Sequence, residues 1–127
     1  MTHTTQRPLL QEATQTTPAV RFDPEQGILS LVGRAMPIDA GLFFDPLLRF
    51  IEHYTLQPAA ETVFICHLDY FNSGSSMLLG RLFALLNQVP NLRVEWRYHP
   101  DDEDLLEAGQ EFAHICHRPF SYVPTPD

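Results

Sequence analysis

Apolar positions along this chain keep two periods, and the places where one gives way to the other mark its elements. Ala19–Asp23 and Gly27–Gly33 alternate as short strands, and Asp23-Pro24-Glu25-Gln26-Gly27 between them is turn chemistry, so a β-hairpin opens the domain. An irregular link over 35–41 contains Pro37. Asp45 then reads as a helix N-cap, followed by Pro46 at the first helical position. Leu47, Leu48, Phe50, Ile51 and Tyr54 carry that helix to about Thr55, and Leu42, Phe43 and Phe44 pack as an extra turn before the cap. Thr62 to Phe71 is apolar, β-branched and aromatic, the composition of a buried strand.

A second helix follows, its apolar face formed by Met77, Leu78, Leu79, Leu82, Phe83, Leu85, Leu86 and Val89. After the turn at Pro90-Asn91, Leu92 to Tyr98 alternates strictly, with Leu92, Val94, Trp96 and Tyr98 on one side. Asp101, Asp102, Glu103 and Asp104 load the start of a third helix with carboxylates, where the helix dipole favours them. Leu105, Ala108, Phe112 and Ile115 carry it to Cys116, and Arg118 to Val123 is a terminal extended segment. The order β-β-α-β-α-β-α predicts one α/β domain over 18–123, a mostly parallel or mixed sheet with helices packed on it. Met1 to Thr17, rich in Thr and Gln, reads as a flexible N-terminal tail, and 124–127 as a C-terminal one.

Composition narrows the partners. The 127 residues suffice for one core. All the basic side chains are Arg, eight of them against 16 acidic residues, for a net charge of −8. That balance argues against nucleic acid or an anionic membrane as the main partner, since both need a basic face. No apolar run reaches a membrane span and the N-terminus lacks a signal-peptide core, so the cytoplasm is the expected compartment. Cys66 and Cys116 do not make a disulfide framework and read as buried free thiols.

The candidate chemistry lies in Tyr70-Phe71-Asn72-Ser73-Gly74-Ser75-Ser76, between a strand and a helix. A serine there can cap the helix, and the same unpaired N–H groups suit a phosphate. A plain capped loop is the bland alternative. A serine hydrolase would make Ser73, Ser75 or Ser76 a nucleophile, but the G-x-S-x-G elbow and a candidate oxyanion loop are absent. His114, Cys116 and His117 lie close in sequence, yet on a helix the two histidines share a face while Cys116 points elsewhere, which disfavours metal. Asp101-Asp102-Glu103-Asp104 resembles a calcium loop in charge alone and reads as a solvated helix start, with Asp101, Asp102 and Asp104 as a candidate docking face. Gly80 and Gly109 each interrupt a helix, which close approach of another backbone or a partner surface would explain.

Several of these stretches together resemble a known family. Leu68-Asp69-Tyr70-Phe71-Asn72-Ser73-Gly74-Ser75 is one, and Trp96-Arg97-Tyr98 running into Asp101-Asp102-Glu103-Asp104-Leu105-Leu106-Glu107-Ala108-Gly109 is another. Thr17-Pro18, Phe22-Asp23, Gly27, Gly33, Phe44, Pro46 and Tyr54 extend the match from about Thr17 to Phe120. The chain is similar to the SiaC-type regulatory phosphoproteins, bacterial proteins with a fold like that of STAS-domain anti-anti-sigma factors. In that family the loop reads Tyr-x-Asn-Thr-Ser-Ser with a Lys two positions on, and its Thr is the regulatory phosphorylation site. Carried over, the Thr falls on Ser73, its neighbours on Gly74 and Ser75, and the Lys on Met77.

The resemblance implies a partner switch rather than catalysis, with no cofactor. The unphosphorylated protein would bind and activate a target such as a diguanylate cyclase in cyclic di-GMP signalling. A cognate Ser/Thr kinase and a PP2C-like phosphatase would set its state. Ser73 is the implied acceptor, with Ser75 or Ser76 as second choices, and Tyr70, Asn72, Gly74, Ser75 and Met77 form the partner-binding loop. An α/β interaction domain without a switch is the alternative.

Overall fold

The computed structural model describes residues 6–126. Its elements are β1 (Leu9–Gln11), β2 (Ala19–Asp23), β3 (Ile28–Ala35), α1 (Ala40–Tyr54), β4 (Thr62–Phe71), α2 (Ser73–Leu86), β5 (Leu92–Tyr98), α3 (Glu103–Cys116) and β6 (Phe120–Pro124). Among the described residues, six strands form one sheet in sequence order. The first two pairings are antiparallel and the other three parallel, so this is the mixed α/β domain that the pattern predicts.

The buried alternate residues of the strands all face one layer of helices. Phe22 of β2 meets Phe50 of α1, Phe64 of β4 meets Phe83 of α2, and Trp96 of β5 meets Phe112 of α3, with ring centroids 5.3, 5.6 and 5.6 Å apart. From β3 onward each strand adds on the same side of the last. With right-handed crossovers this places every connecting helix on one face. Among the described residues, no helix lies over the other face of the sheet. Arg21, Ile28, Val32, Ile65, Arg93 and Arg97 stand there, exposed or half-buried.

The β3–β4 pairing slips once. Gly33 pairs with Leu68, but Arg34 pairs with Tyr70, leaving Asp69 as an extra residue in β4. Gly33 sits at φ 133°, with Pro18 Cα 3.2 Å from where a Cβ would be, so both conformation and space call for glycine. Unbroken alternation from Thr62 would turn Tyr70 inward and Phe71 outward. The bulge reverses them. Phe71 packs against Trp96 and Phe112, and Tyr70 is left 53% exposed.

Three expectations are corrected. The segment read as a flexible tail contains β1, whose Leu9 pairs with Phe22 and Gln11 with Val20. It is tied further on by Met36 N–H, which donates to the Thr16 carbonyl at 2.7 Å. A three-residue strand is too short to show a period, and its partner is set by the sheet edge. The first five residues of that expected tail lie outside the described residues. At the other end, the expected tail at 124 is also displaced. Pro124 pairs with Tyr98 inside β6, and Thr125 N–H donates to the Tyr98 carbonyl, so the sheet holds the chain through Thr125.

The third correction is the start of α1. Asp39, not Asp45, is its N-cap, accepting from Leu42 N–H at 3.0 Å, and Pro46 lies inside the helix. Pro46 cannot donate to the Leu42 carbonyl one turn back, but Leu42 is 76% exposed, away from the core. Asp45 instead pairs with Arg49 at 3.0 Å along the helix surface.

Trp96 explains one of the helix glycines. A Cβ on Gly109 would lie 2.6 Å from the indole Cδ1 and Nε1, whereas one on Gly80 would find nothing nearer than Ile115 Cδ1 at 3.7 Å. Close approach therefore accounts for Gly109 and not for Gly80. Gly109→Ala should cost about 1–3 kcal/mol through overpacking, although Ala is the better helix former. Gly80→Ala should leave stability unchanged or raise it by up to about 1 kcal/mol. Urea midpoints of the two variants would test this pair of signs.

Cys66 and Cys116 are both buried and free. Burial pushes the Cys66 thiol far above its ordinary range, and pushes Cys116 up to about 11 against the opposing charge of Arg118. Both thiols stay neutral at pH 8. An aromatic disulfide reagent at that pH should react with neither in the native protein, and with both once denaturant is added.

Candidate functional site

Because β3, β4 and β5 run parallel, they end at one edge of the sheet, and the three helices begin there. Asp39, Asn72 and Asp102 cap them alike: each side-chain oxygen accepts from the backbone N–H three residues on, at 3.0, 2.9 and 2.9 Å. The sequence pattern suggested a serine cap for α2. Asn72 takes that place, which moves Ser73 to the first helical position, where it is exposed. The N–H groups of Ser73 and Gly74 have no acceptor within the helix at those positions, so the Ser73 hydroxyl stands beside the positive end of the α2 dipole.

Asn72 also ties this loop to the neighbouring one. Its backbone N–H donates to the Ala35 carbonyl at 3.0 Å, and its side-chain amide reaches the Pro37 carbonyl at 3.4 Å. Gly74 continues the contact. A Cβ there would lie 3.3 Å from the Ala40 Cβ, so the first turns of α1 and α2 touch.

The three serines differ sharply. Ser73 is exposed and Ser76 half-buried, while Ser75 is fully buried. Its Oγ is a buried side-chain atom without a hydrogen-bond partner among the described residues. So buried, Ser75 is out of reach of a kinase and of a partner, which removes it as a loop contact. Met77, one turn beyond Ser73 on the same helix face, is 62% exposed. Tyr70 and Ile38 are also exposed at this edge. Ile38 follows the Pro37 that Asn72 holds, and the sequence reading missed it because nothing in a short irregular link shows which way a side chain turns.

The acidic stretch lies on the same edge. Asp101 and Asp104 are exposed, whereas Asp102 is half-buried and engaged as the α3 cap. Asp101 N–H donates to His99 Nδ1 at 3.1 Å. The three serine hydroxyls make no hydrogen bond to a histidine among the described residues. Cys116 is buried while His114 and His117 are exposed, and His117 has left the helix at φ 56°, so the two histidines do not share a helical face. Among the described residues, no group of three His, Cys, Asp or Glu could hold a metal ion.

Comparison with known proteins agrees with this architecture. The model for SiaC family regulatory phosphoproteins matches residues 11–125. An uncharacterised protein of Pseudomonas aeruginosa is 25% identical over 112 residues, covering 85% of this chain and 89% of its own. Apo-SiaC of Pseudomonas aeruginosa superposes with a TM-score of 0.79 at 25% identity, covering 93% of this chain and 99% of that one. A chain in the crystal structure of diguanylate cyclase SiaD with its activator SiaC, from the same organism, superposes with a TM-score of 0.84 at 24% identity, covering 92% and 99%. With its matching elements spanning nearly the whole sheet and all three helices, the chain belongs to the SiaC family of regulatory phosphoproteins.

Proposed function

We propose that this protein is a non-enzymatic, phosphorylation-controlled partner switch acting in the cytoplasm. With the Ser73 hydroxyl free it binds and activates a diguanylate cyclase; phosphorylation of Ser73 releases that partner. A Ser/Thr kinase and a PP2C-like phosphatase set the balance. The observation that carries this reading is the exposed Ser73 hydroxyl at the start of α2, at an edge that also exposes Ile38, Tyr70 and Met77.

Such an edge suits a partner that desolvates a neutral hydroxyl among apolar side chains. A phosphate there adds about −1.5 to −2 charge, which the α2 N-terminus tolerates but an apolar interface does not. Asp101 and Asp104 on the same edge add repulsion against an acidic partner surface. Two departures from the family loop fit this geometry. Met77 replaces a cation with an apolar side chain beside Ser73, and Gly74 leaves room for Ala40. Support for the partner itself comes from the SiaC relative, an activator complexed with a diguanylate cyclase.

Peptide mass spectrometry on protein purified from its own cells should place phosphate on Ser73 and none on Ser75. Ser73→Asp should weaken binding to the diguanylate cyclase by about tenfold or more in calorimetry. Ser75→Ala should bind as the parent does and unfold at higher urea, gaining roughly 1 kcal/mol from loss of an unpaired buried hydroxyl. A loop that stays unmodified after incubation with the kinase, together with undiminished binding by Ser73→Asp, would leave a plain interaction domain.

A further inference from the structure

Among the described residues, strands β3 to β6 form a parallel array with helices on one side only. Parallel sheets otherwise occur with both faces covered, and their strands are correspondingly apolar on both sides. Here the open face carries Ile28 and Val32 on β3, 47% and 41% exposed, beside half-buried Val63 and Ile65 on β4. Ile28 pairs with Val63, Ser30 with Ile65 and Val32 with half-buried His67, so the four apolar side chains form one stripe along two central strands, with Ser30 and His67 as its polar members.

Charges flank the stripe. Arg21 stands on β2 to one side. On β5, to the other, Glu95 lies between Arg93 and Arg97 at 3.9 and 3.0 Å. Arg34 and Tyr70 close the stripe at the edge where Ser73 sits. Four of the eight arginines therefore occupy this face, against Asp23 and Glu95 of the 16 acidic residues, besides Asp69 at the bulge. In a chain of net charge −8, this face is the one where arginine is concentrated.

From β2 to β5 is three strand spacings, about 14 Å. An α-helix with its side chains is about 10–12 Å across. A helix lying along β3 and β4 would thus bring one flank to Arg21 and the other to Arg93 and Arg97.

We infer that the open sheet face docks an amphipathic α-helix of a partner protein, its apolar stripe on Ile28, Val32, Val63 and Ile65 and its flanking carboxylates on Arg21, Arg93 and Arg97. A second copy of this chain does not supply such a helix. Its described helices turn their apolar stripes into their own core and leave only Leu42, Met77 and Ile115 as large exposed apolar side chains. The inference goes beyond the Ser73 switch, since it concerns the open face of the sheet and not the loop edge that carries Ser73.

The test uses synthetic helical peptides of about 18 residues, or about 27 Å. All share one apolar stripe, flanked by Glu, Ser or Lys. They are titrated into the full chain with labelled Ile, Leu and Val methyl groups. The Glu-flanked peptide should bind best and shift the methyls of Ile28, Val32, Val63 and Ile65. Its affinity should fall about tenfold in the Arg93→Ser, Arg97→Ser variant and drop as salt is raised. Val32→Lys, at a position open to solvent, should abolish binding while the core methyl spectrum stays unchanged. Ser73→Asp should leave peptide affinity unaltered, which separates failure of this inference from failure of the switch. Absence of shifts at millimolar peptide, binding indifferent to flank charge, or shifts confined to other surfaces would overturn it. So would a concentration-dependent dimer lost in Val32→Lys, which would assign the face to a second copy.

Discussion

Trp96 decides how the helix layer meets the sheet. It is buried on β5, its indole N–H donates to the Leu105 carbonyl of α3 at 2.9 Å, and its ring touches Phe71, Phe83, Phe112 and Phe120. One side chain thereby joins the end of β4, α2, α3 and β6. The buried polar atom has its partner, so the burial of so large a ring carries no unpaired N–H. The requirement it imposes is space, and Gly109 provides it. Any side chain at that position pushes α3 off the sheet and with it the acidic start of that helix.

The same packing sets the candidate site. Phe71 reaches Trp96 only because the bulge at Asp69 resets the alternation of β4. The chain then enters α2 with Asn72 as cap and Ser73 outward. Tyr70, turned the other way by the same bulge, joins Arg34 on the uncovered face. One inserted residue therefore links the two exposed surfaces of the molecule, the loop edge and the open sheet. Asn72 adds a second link, holding the β3–α1 connection and the β4–α2 connection together at a point next to Ser73.

Much of this was legible in the chain itself. The strict alternation of Leu92 to Tyr98, the helical spacing from Met77 to Val89 and the carboxylates at Asp101 to Asp104 all report local periods and caps, which neighbours a few residues apart enforce. These elements lie where the pattern puts them, except that Met77 stands exposed, off the buried face of α2, and Val89 lies beyond the helix end at Leu86. The start of α1 was misplaced because Asp45-Pro46 and Asp39 are both good starts, and tertiary packing of Phe44 extends the helix to the earlier one. The loop sequence likewise marked a strand-to-helix turn carrying hydroxyls, but Asn and Ser cap equally well, so composition could not say which residue caps and which is left exposed.

By itself the sequence determined the class of fold, the single core and the place of the loop, since those arise from hydrophobic period and turn chemistry within short windows. The tertiary structure alone decided that β1 exists, that Ser75 is buried while Ser73 is not, and that Tyr70 faces away from the helices. Each of those depends on contacts between segments far apart in the chain: an edge pairing, a helix–helix approach and a register slip. It also decided that all three helices share one side, leaving an arginine-flanked apolar stripe on the other. That comes from the order in which strands add to the sheet, which no local pattern encodes.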